Sequence, residues 1–200
     1  MLALIMAGGR GSRLAMGEKP LVTICGMPML RYVVDAFACA GCEVVVVISS
    51  RTPYLRNWCT AQGVVYYQAA GNGYIQDIVE ATTELEEAGP IFTSVADLPC
   101  LTPAIIARVR AWYRDCGTPA CSVWIPERLC RAYDCRVQYR ETVQGIPACP
   151  AGINVLTGSL IAGPQEEARL LLEEPRLAFN VNTREELAAV QRYLCRNAGA

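Results

Sequence analysis

The stretch Leu2–Leu21, LALIMAGGRGSRLAMGEKPL, decides the fold. Five apolar residues, Leu2 to Met6, stop at Ala7-Gly8-Gly9. A short apolar run ended by glycines reads as a buried strand feeding a glycine loop. Gly8, Gly9 and Gly11 let backbone N–H groups come close to a ligand, and a run of such groups forms a concavity for anions. Arg10, Arg13 and Lys19 add full charges. The combination predicts a site for a polyphosphate. Lys19 is the one lysine in the chain, the other seventeen of its eighteen basic residues being arginine. Arginine-rich usage can be compositional bias alone. A surviving lysine at a phosphate loop nevertheless has a physical reason: an ammonium is a compact point charge, whereas a guanidinium is wide and planar.

Downstream of this loop, helix and strand patterns alternate. Helical spacing runs from Pro28 to Ala38, with Gly41 as a stop, and Glu43–Ile48 is an apolar strand. Thr52-Pro53 predicts a capped helix to about Gln62, followed by a strand over Val64–Tyr67. A helix over Tyr74–Glu87, a strand over Ile91–Val95, a helix over Pro103–Cys116 and a strand over Ala120–Ile125 follow. Arg128–Gln144 is more polar and reads as an antiparallel excursion. Beyond it the pattern predicts a short strand at Gly152–Leu156, a helix over Gln165–Glu174, a strand over Ala178–Val181, and a last helix from Thr183 to about Cys195. Alternating strands and helices imply a mostly parallel sheet flanked by helices on both faces. The expected class is α/β and Rossmann-like. One domain over 1–200 accounts for it, with nucleotide binding in about 1–100 and acceptor binding in about 101–200.

Bulk composition narrows the function classes. The 200 residues carry 52% hydrophobic and 18% charged residues and a net charge of −1, so no strong field draws the molecule to nucleic acid. The opening apolar run is too short for a signal peptide and no stretch reaches membrane-span length, so the expected location is the cytoplasm. There is no histidine, which removes every triad that needs an imidazole. Eleven cysteines, an odd number, argue against a secreted disulfide scaffold. Cys39 and Cys42 have CxxC spacing, and with two distant cysteines they would make a zinc site. Cys116 with Cys121 and Cys130 with Cys135 are candidate disulfide pairs; otherwise the cysteines are small buried residues. Trp58 and Trp124 read as exposed and leave room for a homodimer.

The glycine loop is neither of the commonest phosphate motifs. Leu14 stands where the Rossmann fingerprint needs a third glycine or alanine, which argues against an NAD-dependent oxidoreductase, and the Gly-Lys-Ser/Thr of a P-loop is absent. The full run AGGRGSRLAMGEKPL instead resembles the signature of GT-A-type, MobA-like nucleotidyltransferases, which include sugar-1-phosphate nucleotidylyltransferases and molybdenum cofactor guanylyltransferase. Val95-Ala96-Asp97-Leu98-Pro99 is similar to that family's aspartate motif, and Phe179-Asn180-Val181-Asn182-Thr183 to its C-terminal motif. MGEKPL, GNGYIQDI (71–78), ADLPCLT (96–102) and PAGINVL (150–156) together most resemble the archaeal adenosylcobinamide-phosphate guanylyltransferases.

That resemblance implies GTP and adenosylcobinamide phosphate as substrates, Mg²⁺ as cofactor, and adenosylcobinamide-GDP and pyrophosphate as products in cobalamin biosynthesis. It implies that Gly8, Gly9 and Gly11 line the nucleotide with Ala7 beside base and ribose, and that Arg13 and Lys19 meet the β- and γ-phosphates. Arg10 is either a nucleotide contact or a solvated loop residue. Ala15 departs from the glycine usual at its place, a matter of local loop geometry. Asp97 is the expected Mg²⁺ ligand, its alternatives being a helix cap ahead of Pro103 or a turn acid. Asn182 is the second candidate at the metal, competing with Thr183 to cap the last helix; Asn180 is a third. Guanine would be read by backbone carbonyls in 68–73, around Gly71, or by Asp77, which can instead sit on the polar face of its helix. Gly152 and Asn154 would border the acceptor, unless Gly152 merely starts a strand. Two rivals stay open: transfer to a molybdopterin, sugar or polyol phosphate, and a non-catalytic GTP-binding regulator.

Overall fold

The computed structural model describes residues 1–9, 16–137 and 139–197. Among these residues ten strands form in chain order: β1 (Leu2–Met6), β2 (Thr23–Ile24), β3 (Met27–Pro28), β4 (Glu43–Ser49), β5 (Tyr66–Ala69), β6 (Pro90–Val95), β7 (Ala120–Pro126), β8 (Glu141–Val143), β9 (Ile146–Thr157) and β10 (Glu167–Leu171). The helices are α1 (Met29–Cys39), α2 (Pro53–Gln62), α3 (Tyr74–Glu84), α4 (Pro103–Cys116), α5 (Glu127–Ala132) and α6 (Arg184–Asn197). Eight strands build one sheet in the order β10-β7-β9-β6-β1-β4-β5, with β8 hung on β9; β2 and β3 form a separate hairpin. Pairing is parallel between β1 and β4, β1 and β6, β4 and β5, and β7 and β10. Long β9 runs against β6 and β7, so the sheet is mostly parallel with one reversed strand inside it. The same sheet crosses both halves of the chain.

Strand periodicity sorts the core into two faces. Ala3 and Ile5 of β1, with Val46 and Ile48 of β4, join a large cluster that takes Leu30, Val33 and Phe37 from α1, Leu55 from α2, Ile105, Ile106 and Val109 from α4, and Leu187 and Val190 from α6. Leu2 and Leu4, with Val45 and Val47, face the other way and meet Ala81 of α3. Both faces carry helices, but unequally.

Several expectations are corrected. Gln165–Glu174 is not a helix: β10 runs through it, pairing Glu167 with Ala120 and Leu171 with Trp124. The segment is rich in helix formers, but a helix this short is marginal alone, and the open edge of β7 offers backbone hydrogen bonds. Ala178–Val181 is not a strand: a 3₁₀ turn over Pro175–Ala178 leads into irregular chain with no strand edge to join. The polar excursion at 128–144 resolves into α5 and β8, the latter antiparallel to β9. Gly152 does not start a strand but lies inside twelve-residue β9, at φ +76°, near the register shift opposite Ser122 and Trp124. Trp124 is 5% exposed and Trp58 half-buried, so exposed tryptophans do not argue for a dimer.

The cysteine pairing also differs. A disulfide joins Cys25, in the β2–β3 turn, to Cys195 in α6, while Cys116, Cys121, Cys130 and Cys135 are free thiols. Burial pushes the Cys121 and Cys130 thiols up to about 12. No group of three or more metal-ligating side chains gathers among the described residues, which removes the zinc site. No helix among them is long and apolar enough to cross a membrane.

Candidate active site

The connections from the sheet turn opposite ways on either side of β1. The chain leaves β1 toward β4 and β5, then returns past it to β6. In parallel sheets, such a reversal opens a crevice at the carboxyl ends of the strands. Here it is a cavity of about 470 Å³, in the size range of ligand sites. Residues following β1 (Ala7, Gly8, Gly9), β4 (Arg51), β5 (Gly71, Gly73) and β6 (Ala96, Asp97) line it, together with Lys19, Tyr74, Asp77 and Asn182. From β6 across β1 and β4 to β5 is three strand spacings, about 14 Å at about 4.8 Å each, enough for an extended nucleoside phosphate.

The floor is built by close backbone approach. Ser49, at the end of β4, donates from its hydroxyl to the Gly8 carbonyl at 2.8 Å. A Cβ at Gly8 would sit 3.2 Å from Ser49 Cβ, and one at Gly71, itself at φ +77°, would do the same. Asp77, 8% exposed, accepts from the Gly71 and Asn72 amides at 3.1 and 3.0 Å. Asp77 therefore pins this glycine turn and lines the cavity, and the reading that puts it on the polar face of α3 is corrected.

At the other end, three distant segments converge. Lys19 Nζ is ion-paired with Asp97 Oδ2 and donates to Asn182 Oδ1 at 2.9 Å. Asn182 Nδ2 in turn donates to Asn180 Oδ1 at 2.7 Å. Val181 N donates to the Asp97 carbonyl at 3.0 Å, which stitches the C-terminal segment to the turn after β6. Thr183 takes the cap of α6: its hydroxyl accepts from Glu186 N, and the Glu186 carboxylate accepts from the Asn182 and Thr183 amides. This reciprocal capping box leaves the Asn182 side chain to the cavity. Thr102 caps α4, so Asp97 is not that helix's cap.

Asp97 is under electrostatic tension. Burial pushes its carboxyl above the ordinary aspartate range, and the Lys19 ammonium pulls it back only in part. Its Oδ1 is buried with no hydrogen-bond partner among the described residues. A lone buried carboxylate oxygen is costly unless something positive meets it. The candidate donors at this end of the cavity are oxygens, Asp97 Oδ1 and the Asn182 amide oxygen, with the Asn180 amide oxygen one hydrogen bond further on. That suits a hard cation such as Mg²⁺, which is commonly held by one or two carboxylates plus substrate phosphates.

Ala7, Gly8, Gly9, Lys19, Gly71, Asp77, Asp97 and Asn182 thus share one cavity. Arg10, Gly11 and Arg13 lie outside the described residues. Gly152 and Asn154 are not among the lining residues; they sit on β9 beside β6, where Asn154 Nδ2 donates to Thr93 Oγ1 at 3.4 Å. A Cβ at Gly152 would stand 2.6 Å from Val95 Cγ2. Sequence reasoning missed Arg51 and Tyr74. The GNGYIQDI motif was the available signal for Tyr74; Arg51, in an ordinary loop between strand and helix, offered none. Thr52 is the N-cap residue of α2 with Pro53 in its first turn, as expected, but its hydroxyl makes no cap hydrogen bond. Thr52 turns back to Ser49, and the Tyr54 and Leu55 amides donate instead to the Glu18 carboxylate at 2.9 and 2.6 Å.

Known proteins agree with this architecture. The chain is 29% identical over 205 residues, 97% of each protein, to adenosylcobinamide-phosphate guanylyltransferase of Methanocaldococcus jannaschii. Its fold matches CMP:2-keto-3-deoxy-manno-octonic acid synthetase, solved with CTP, at TM-score 0.73 and 16% identity over 98% of both chains. It also matches molybdopterin-guanine dinucleotide biosynthesis protein A of Archaeoglobus fulgidus at TM-score 0.69 and 15% identity, over 98% of this chain and 100% of that one. Residues 3–192 match a single family description, so that the chain belongs to the MobA-like NTP transferase domain family.

Proposed function

We propose that this protein is a cytoplasmic guanylyltransferase that joins the GMP moiety of GTP to adenosylcobinamide phosphate, releasing pyrophosphate. The observation that carries a nucleotidyl transfer is the meeting of Lys19, Asp97 and Asn182 at the strand-order reversal. The choice of acceptor rests on the full-length similarity to the Methanocaldococcus jannaschii enzyme.

The triphosphate lies at the Lys19 end, over the Gly8–Gly9 turn, and the family resemblance makes Arg10, Gly11 and Arg13 further candidates for nucleotide contacts. The base reaches the Gly71–Asp77 end, where backbone carbonyls and the Asp77 carboxylate accept from guanine N1–H and its exocyclic amine. The acceptor enters past Gly152 and Asn154. An acceptor phosphate oxygen forms the new bond to the α-phosphorus as the bond to the β-phosphate oxygen breaks, and pyrophosphate leaves with that electron pair. The nucleophile is already an anion, so no general base is needed and a chain without histidine suffices. Lys19 leaves Asp97 to neutralise the departing phosphates, and Asp97 with Asn182 would hold Mg²⁺. When bound, that ion would supply positive charge against the phosphates. Catalysis is then positioning plus charge neutralisation.

The test is an assay of the purified protein with Mg²⁺, each of the four nucleoside triphosphates, and adenosylcobinamide phosphate, following pyrophosphate and the corrinoid product. GTP-specific release with formation of adenosylcobinamide-GDP is expected. Transfer only to a molybdopterin, sugar or polyol phosphate would replace the acceptor. GTP binding with no pyrophosphate release under any acceptor would replace the enzyme with a regulator.

A further inference from the structure

We propose that Glu18 is a positioning residue of the nucleotide site and acts through Lys19; this rests on the reading of the cavity as a triphosphate site. The geometry of α2 leads to it. Thr52, the sequence's own cap, spends its hydroxyl on Ser49, and Pro53 has no N–H to offer. The first free amides of α2 belong to Tyr54 and Leu55, and both are met by one carboxylate, Glu18 Oε1 at 2.9 Å and Oε2 at 2.6 Å, from 36 and 37 residues earlier in the chain. A helix N-terminus is positive, and a charged acceptor there makes stronger hydrogen bonds than a neutral one.

The clamp holds the residue immediately before Lys19. On the other side, Leu21 N donates to the Glu18 carbonyl at 2.9 Å, Val22 N donates to the Lys19 carbonyl at 3.1 Å, and Pro20 is buried. The Lys19 backbone is thus fixed from both sides while its long stem crosses to Asp97 and Asn182. A lysine stem is flexible and loses much rotamer freedom when it binds. Anchoring its root limits where the ammonium can go. The clamp has a second effect. A helix N-terminus can bind phosphate, but that of α2 is already filled by the protein's own carboxylate. The phosphates are left to the glycine turn and Lys19.

The experiment is calorimetric titration of Glu18→Ala and Glu18→Gln, in the wild-type and Lys19→Ala backgrounds, with GTP, inorganic tripolyphosphate and guanosine. Glu18→Ala should weaken GTP and tripolyphosphate by the same factor, about tenfold, the scale of one charge-assisted hydrogen bond. Guanosine affinity should be unchanged. Glu18→Gln keeps the shape and one acceptor oxygen, so it should fall between; if Glu18→Ala fails to fold, Glu18→Gln decides. In the Lys19→Ala background the Glu18 substitutions should cost nothing further, because coupled residues are non-additive. Unchanged tripolyphosphate affinity, an equal loss of guanosine, or a full additional loss without Lys19 would each overturn the proposal while leaving the nucleotide site intact. A wild-type protein that binds neither GTP nor tripolyphosphate would remove the site and the clamp together.

Discussion

Lys19 carries more of the site than any other described side chain, because its ammonium bridges Asp97 after β6 and Asn182 before α6. Lys19→Ala should weaken GTP binding by about tenfold to a hundredfold, the range for a hydrogen bond between charged groups; titration calorimetry measures it. Lys19→Arg should not restore binding, since the planar head needs more room, and full activity in that variant would make the lone lysine a coincidence. Asp97→Ala should lower turnover more than affinity. Asp97 also predicts a pH dependence in the nucleotide-free, metal-stripped protein. Burial raises its proton affinity in the folded state above that of the unfolded chain. The native protein therefore binds more protons there, and this group's contribution to stability falls as pH rises from about 3.9 through the raised value. Asp97→Asn removes that term, so the melting temperature of the variant minus that of wild type should grow over this window and level off above it. A difference that shrinks as pH rises would show that Lys19 outweighs burial.

At the level of elements, the site depends on turns and caps as much as on charged groups. Thr183→Ala removes one half of the capping box that frees Asn182 for the cavity, and should cost about 1 kcal/mol, read as a small fall in melting temperature. Gly152→Ala meets both a left-handed backbone and a clash with Val95, which lines the cavity. A cost of about 1–3 kcal/mol is expected in denaturant unfolding, with weakened nucleotide binding beside it. The sequence made the first half of the sheet legible because each strand there is a short apolar run set off from a helix by glycine or proline, as Leu2–Met6 is by Ala7-Gly8-Gly9. It did not reveal β10, since Glu167–Leu171 becomes a strand only through the free edge of β7. Nor did it reveal the reversal of β9, which is fixed by its neighbours on both sides. That Asp97 and Asn182 come together was legible, because each sits in a compact motif. Glu18 at α2 and Arg51 at the cavity were not, because their roles depend on contacts between segments that local pattern does not encode.

Over the whole molecule, the disulfide between Cys25 and Cys195 ties the hairpin that follows the Lys19 turn to α6, across a sequence separation of 170 residues. Closing so long a loop restricts the unfolded chain strongly, by about 5 kcal/mol in the chain-entropy account. Reductant should therefore lower the melting temperature of the wild type, and Cys25→Ser should lower it by a similar amount and make it insensitive to reductant. Its two ends belong to elements that neighbour the site in sequence: the hairpin comes shortly after Lys19, and α6 begins directly after Asn182 and Thr183. That site is the centre of the account, and a crystal structure of the protein with a non-hydrolysable GTP analogue and Mg²⁺ tests it most directly. The account predicts the triphosphate over Gly8 and Gly9, with Lys19 turned from Asp97 to its phosphates and guanine beside Gly71 and Asp77; an analogue bound elsewhere, with this cavity empty and the Lys19–Asp97 pair intact, would contradict it.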